Sequence, residues 1–192
     1  MKTRDLVHVA LFCALLAALG LLPPLALPFF PVPITAQTLG VMLAGSTLGA
    51  RKAGLVLVLF HVLVAAGLPL LAGGNGGLVV YPGPTGGYFV GWLPAALVIG
   101  ALTERFWEKL TVPRAFAINV LGGIAVIYAV GIPWLAAVTG LPLAQAALGS
   151  LLFVPGDCVK AALAASAAVT LRRAWPLLPP PRRPSAPGPS ST

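Results

Sequence analysis

Charge is the scarcest commodity in this chain. Asp, Glu, Lys and Arg make up 8% of 192 residues, against about 25% in soluble domains. That excludes a water-soluble fold and makes the chain an integral membrane protein. Only four residues are acidic: Asp5, Glu104, Glu108 and Asp157. Cysteine is nearly missing too. Cys13 and Cys158 both lie in apolar stretches with no CxxC pair, so neither a disulfide framework nor a zinc site follows. No metal-ligand spacing occurs, and neither metal nor cofactor is expected. Gly-x-x-x-x-Gly-Lys-[Ser/Thr] is absent as well, which excludes ATP binding through a P-loop. Active transport by this chain would need partner subunits.

What is present is apolar sequence in blocks. The net charge of +8 is scattered between those blocks rather than gathered on one face, so it reads as a topology signal and not as a nucleic-acid surface. After Met1-Lys2-Thr3-Arg4, the run from Leu6 to Leu22 is a first span; a signal peptide is the rival reading, but the rest of the chain is equally apolar. Ala10, Ala14 and Ala18 give this span a face of small residues on which another helix can approach closely. Pro23 to Pro33 cannot be helical throughout. Spans at 35–50 and 53–68, either side of Arg51-Lys52, are each about 24 Å long, short of a roughly 30 Å hydrocarbon core. An uncharged glycine-rich loop follows from Pro69 to Thr85. The fourth span runs from about 86 to 103 and the fifth from 115 to about 137, with Gly131 and Pro133 expected to kink or end it early. Leu141 to Phe153 is too short to span and resembles a lid. The sixth span follows Asp157. Residues 173–192, rich in proline, serine and arginine, read as a disordered tail on a 1–172 transmembrane domain. The fold class is therefore all-α with six transmembrane helices. Of twelve Lys and Arg residues, all but Lys160 fall on one side of this arrangement, which makes both termini cytoplasmic.

Lys160 sits in Val154-Pro155-Gly156-Asp157-Cys158-Val159-Lys160-Ala161. Pro155-Gly156 is expected to break any preceding helix, with Asp157 as N-cap of the next. Asp157 and Lys160, at i and i+3, share one face with Ala161, Ala164 and Ala168. The bland reading is a helix cap beside a lysine that snorkels to the surface. The functional reading is a polar anchor in an outward-facing cavity, since intramembrane charge is disfavoured unless it has work to do. The loop 69–85 and the segment 141–155 lie on the same side and resemble gates. His61, alone in an apolar helix, reads as a hydrogen-bonded packing residue. His8 is a cytoplasmic-end residue with no assigned role.

Pro33-Ile34-Thr35-Ala36-Gln37-Thr38, Leu43-Ala44-Gly45, Gly67-Leu68-Pro69, Gly83-Pro84-Thr85-Gly86-Gly87-Tyr88 and Pro155-Gly156-Asp157-Cys158-Val159-Lys160 stand in the order seen in the BioY family. The resemblance covers roughly residues 5 to 172. It implies the bundle of a substrate-binding (S) component of an energy-coupling-factor (ECF) transporter, with a biotin site roofed by loops. It also implies a multi-pass protein of a bacterial-type inner membrane, docked through Ala10, Ala14 and Ala18 on a membrane coupling subunit and two ATPase subunits. Asp157 and Lys160 match the family's last-helix motif; Asn75 and Thr85 to Tyr88 match its loop motifs. The tail has no counterpart.

Biotin's ureido group, apolar chain and carboxylate would need polar partners, an aromatic slot and a cation. Gln37, Asn75 and Asp157 suit the ureido edge, Tyr88 and Trp92 the rings, Lys160 the carboxylate; which end meets Asp157 and Lys160 stays open at this point. Rival readings are an S component for another vitamin, a biotin facilitator acting without partners, or an intramembrane enzyme using His61, Cys158 or Asp157. Topology is directly testable. Cysteines introduced between Gly73 and Gly77 should react with an impermeant reagent from outside and a cysteine at Arg51 should not; the reverse pattern overturns the orientation.

Overall fold

The structure, a computed structural model, describes residues 3–28 and 30–174. Among these, five helices are long and apolar enough to cross a membrane. They are α1 (Thr3–Gly20), α2 (Gln37–Ala65), α3 (Gly86–Arg105) and two composites. One composite joins α4 (Val112–Val120), a π-helical turn (Leu121–Val126) and α5 (Ile127–Thr139). The other joins α6 (Leu143–Ser150), a 3-10 turn (Leu151–Phe153) and α7 (Val154–Ala174). The expected tail falls, beyond Ala174, outside the described residues.

α2 is not a rod. Gly49 has φ 79° and ψ 173°, a conformation open to glycine and strained for any residue with a Cβ. The chain folds back there. Gln37, at the start of α2, hydrogen-bonds to Leu70 and Ala72 beyond its end, whereas a straight helix of 29 residues would hold its ends about 40 Å apart. The spans expected at 35–50 and 53–68 are thus the two arms of a helical hairpin with no loop between them, and Arg51-Lys52 is helical.

α3 packs into this hairpin at backbone distance. A Cβ on Gly100 would lie 2.3 Å from Ala50 N and 2.6 Å from the Gly49 carbonyl carbon; one on Gly45 would lie 2.7 Å from Ile99 Cβ. Ser46 Oγ donates to Asn119 Oδ1 (2.7 Å), and Asn119 Nδ2 donates to the Ala161 carbonyl (3.4 Å), tying α2, α4 and α7 in the bundle interior. Ala161, Ala164 and Ala168 are buried, so their small stripe receives neighbouring helices rather than a ligand.

One local expectation gains detail and three need correction. The proline-rich connection after α1 forms a two-stranded antiparallel ribbon, β1 (Leu25–Leu27) and β2 (Phe30–Ile34), with Leu25 opposite Ile34. The fold is therefore helical with a β-ribbon attached. Gly131 and Pro133 do not end α5, which runs to Thr139 and stops at left-handed Gly140. Gly131 instead makes room for the Tyr88 ring, which a Cβ there would meet at 2.4 Å. Pro155-Gly156 does not break the last helix: α7 begins at Val154, and a proline in the first turn forfeits no helical hydrogen bond. Asp157 accordingly lies within the helix rather than capping it.

The basic ends converge. Lys52 pairs with Asp5 (3.7 Å), Glu104 Oε1 accepts the Ala50 N–H (2.9 Å), and the Arg172 guanidinium lies 5.9 Å from the Trp107 ring centroid. Outward-facing residues of α1, α2 and α7, among them Leu11, Val58, Val62 and Leu163, are exposed and apolar, as a lipid-facing surface requires. Gly100→Val should force the hairpin and α3 apart. Overpacking of this kind costs about 1–3 kcal/mol and should lower the detergent melting temperature by several degrees; an unchanged value would contradict the contact.

Candidate functional site

At the end of the bundle opposite the basic turns lies a cavity of about 460 Å³, within the usual range for small-molecule sites. All seven residues expected at a site line it: Gln37, Asn75, Thr85, Tyr88, Trp92, Asp157 and Lys160. They come from four segments far apart in sequence, and the hairpin at Gly49 is what returns the loop after α2 to the start of α2.

The charged pair is buried, with 5% of the Asp157 side chain and 15% of the Lys160 side chain exposed, and its N···O distance is 2.8 Å. The ammonium uses all three donors, to Asp157 Oδ1 (2.8 Å), the Thr35 carbonyl (2.6 Å) and Thr38 Oγ1 (3.0 Å). Thr38 in turn donates to Asp157 Oδ1 at 3.3 Å, and Tyr128 Oη donates to Asp157 Oδ2 at 2.7 Å. Neither the cap nor the snorkel survives this geometry. Asp157 bonds side chains from α2 and α5 rather than backbone N–H groups, and Lys160 points into a polar knot. A carboxylate has about four acceptor positions; three are filled, and one is left toward the cavity.

Gln37 lines the cavity but is committed to the backbone. Its Nε2 donates to the Leu16 and Leu70 carbonyls (3.1 and 3.0 Å), and its Oε1 accepts the Ala72 N–H (3.0 Å). It braces α1, α2 and the loop after α2. Asn75 uses one amide hydrogen on the Ala72 carbonyl (2.9 Å), so its Oδ1 and second hydrogen remain for a ligand. The glycines around it make the tight path, with Gly73, Gly74 and Gly77 all at positive φ.

Tyr88 and Trp92, one turn apart on α3, form an aromatic wall. Tyr128 and Phe153 meet the Tyr88 ring edge-on at 6.1 and 6.4 Å. Ser150 Oγ donates to the Ala146 carbonyl and therefore accepts from Tyr88 Oη (2.6 Å), which latches α6 to the wall. Phe30 of β2 sits over Gly149, where a Cβ would lie 2.1 Å from its ring, and packs edge-on against Phe153 at 5.4 Å. The ribbon and α6 thus close over one side of the cavity. Residues 78–85 close the other. They are fastened by Tyr81 Oη to the His61 carbonyl (3.0 Å) and Trp134 Nε1 to the Gly83 carbonyl (3.1 Å). Burial pushes the Tyr81 phenol above its ordinary range, so it stays a donor.

Thr38, Tyr128 and Phe153 are site residues that sequence reasoning missed. Tyr128 carried a usable signal, being the one tyrosine of the fifth span. Thr38 stood in a quoted motif without a role. Phe153 carried none.

A helical membrane protein with an aromatic-walled cavity, a buried ion pair at its floor and a cover made of loop, ribbon and short helix is a membrane-embedded solute-binding protein. The BioY family model matches residues 1–177, and the chain belongs to the BioY family. It is 48% identical over 184 residues to a biotin transporter BioY of Rhizobium etli, covering 93% of this chain and 98% of that protein. It is 46% identical over 177 residues to a probable biotin transporter BioY of Bacillus subtilis, covering 92% and 95%. A solved structure, the S-component for biotin from an ECF-type ABC transporter, superposes with a TM-score of 0.86 at 34% identity, covering 90% of this chain and 95% of that one.

Proposed function

We infer that this chain captures biotin for uptake, as the substrate-binding subunit of an ECF-type transporter and not as an enzyme. The observation that carries the site is the buried Asp157–Lys160 pair beneath the aromatic wall. Biotin is small, neutral at its ring end and anionic at its tail, and the cavity offers an acceptor, an apolar slot and polar cover.

The saturated ammonium argues for one orientation. Lys160 spends its three N–H donors within the protein, leaving none for a carboxylate, whereas Asp157 has an open acceptor position for a ureido N–H. Asp157 therefore meets the ring end, with Lys160 holding its charge in place. Tyr88 and Trp92 flank the rings, and Asn75 supplies a donor and an acceptor from the loop. Thr85 lies at the N-terminus of α3, where the helix dipole favours the carboxylate. Gln37 keeps the loop in register.

The hairpin at Gly49 divides α2 into two passes, so the reading is of six, with both termini cytoplasmic and the cavity outward in a bacterial-type inner membrane. Residues 1–172 then form the capture domain and 173–192 a tail. Without a P-loop of its own, the protein works with a membrane coupling subunit and two ATPase subunits. Ala10, Ala14 and Ala18 on the exposed face of α1 suit close helix docking.

Two experiments test this. Lys160→Ala and Asp157→Asn should each weaken biotin binding about ten- to a hundred-fold, the worth of a lost charged hydrogen bond at roughly 1.5–3 kcal/mol. The effects should be non-additive in the double variant. Biotin amidated at its carboxylate should lose the same factor against wild type and Lys160→Ala; a penalty that vanishes in the variant reverses the orientation. Wild-type affinity in both folded single variants removes the pair from the site. Separately, Ala14→Leu and Ala18→Leu should abolish co-purification with the energising subunits and leave biotin binding intact; unaffected concentrative uptake would take docking away from α1.

A further inference from the structure

Each carboxylate oxygen offers about two acceptor positions, and Asp157 uses its own unevenly. Oδ1 is full, accepting Lys160 Nζ at 2.8 Å and Thr38 Oγ1 at 3.3 Å. Among the described residues, Oδ2 accepts from Tyr128 Oη alone, at 2.7 Å. The position left for a ligand is therefore on Oδ2, the oxygen that Tyr128 holds. Charge balance does not call for this phenol, because Lys160 already pairs with the carboxylate. Lys160 and Thr38 both act on Oδ1, so by themselves they leave the carboxylate plane to turn about that oxygen. The bond to Oδ2 fixes the plane.

Tyr128 is aimed at Asp157 by a local irregularity of its span. It is the second residue of α5, directly after the π-helical turn Leu121–Val126. Such turns are frequent at functional sites, and each holds one residue more than an α-helical turn. One residue corresponds to about 100° of rotation around a helix. Without it, the Tyr128 side chain would leave α5 about 100° away from Asp157. The turn is pressed into place by its glycines: a Cβ on Gly122 would lie 2.3 Å from Ile99 Cγ1, and one on Gly123 2.3 Å from Met42 Cε. The Tyr128 ring is itself buried and meets the Tyr88 ring at 6.1 Å with 78° between their planes. Its hydroxyl is thus delivered from a fixed part of the aromatic wall.

We propose that Tyr128 is the positioning residue of this cavity and a determinant of its selectivity. Acting through Asp157, it leaves Oδ2 a single acceptor direction, toward the cavity, and a ligand has to bring an N–H to that point. A ligand that brings an ether or carbonyl oxygen instead sets lone pair against lone pair. It also leaves a buried acceptor without its donor, the costly failure in a desolvated site. This role rests on the reading that a ureido N–H of biotin meets Asp157.

The test compares biotin with its cyclic carbamate analogues, in which a ring oxygen replaces one ureido N–H, each nitrogen in turn, at nearly unchanged shape. Wild type should bind the analogue lacking the N–H that faces Asp157 about a hundred-fold more weakly than biotin. Tyr128→Phe keeps the ring and its packing and removes only the hydroxyl. It should weaken biotin about ten-fold and leave that analogue's dissociation constant unchanged, so that the preference for biotin falls about ten-fold. Tyr88→Phe, which removes the hydroxyl that holds Ser150, should weaken both ligands alike. In Asp157→Asn, adding Tyr128→Phe should shift the dissociation constant for biotin by no more than about two-fold. A loss in Tyr128→Phe shared equally by biotin and the analogue makes Tyr128 structural and overturns the proposal. Unchanged or tighter biotin binding in that variant overturns it as well. So does a further ten-fold loss on the Asp157→Asn background, the arm that decides if Tyr128→Phe alone does not fold. Wild type that binds no biotin removes the biotin reading, and this role falls with it; biotin binding without the selective loss removes the role and leaves the reading standing.

Discussion

An ion pair in an apolar bundle is tolerated only when every donor and nearly every acceptor has a partner, and that requirement organises the cavity end of this protein. Lys160 demands three acceptors, and they arrive from α7 itself, from Thr35 two residues before α2 and from Thr38 in its first turn. Asp157 demands donors and draws Tyr128 from α5. Three otherwise independent segments are therefore held to one point by hydrogen bonds rather than by packing alone. Two charges with few alternatives specify a geometry that several apolar contacts would leave loose.

The rest of the bundle is held by closeness. In lipid, apolar side chains gain little by leaving one neighbour for another, so helix association rests on van der Waals contact and on small residues that admit it. Gly45, Gly100 and Gly122 let α3 reach the backbone of the hairpin and the π-helical turn. Ser46 and Asn119 add a hydrogen bond where no water competes. The same economy appears at the cavity, where glycine at 131 and 149 makes room for the Tyr88 and Phe30 rings. Glycine here is a means of placing aromatics.

Much of this was legible in the sequence, and the reasons are physical. Depletion of charge fixes the solvent, and clustering of Lys and Arg at segment ends marks one face of the bundle. Asp157 and Lys160 stand out because charge elsewhere avoids apolar sequence. What stayed hidden depends on three-dimensional neighbours. Gln37 looks like a ligand contact, since an amide at a helix start has no visible partner; Leu16, Leu70 and Ala72 supply them only after the chain folds back. Asp157 looks like a cap because Pro155-Gly156 precedes it, yet a first-turn proline is also compatible with a helix already begun. The β-ribbon was masked by prolines, which sit at edge positions that a two-stranded ribbon has in abundance. Pro133 reads as a stop, but a transmembrane helix can run through a proline when its neighbours hold it.

Because Gly100 touches the Gly49–Ala50 backbone, the two arms of α2 and α3 have no cushion of side chains between them at their basic end. Sliding or tilting one against the others would press main chain into main chain. These three passes behave as a stator. The ribbon, the segment before α3 and α6 are instead joined to the bundle by side-chain hydrogen bonds and ring edges. The protein is thus a close-packed frame of main chain against main chain, carrying over its cavity a cover that side chains hold on.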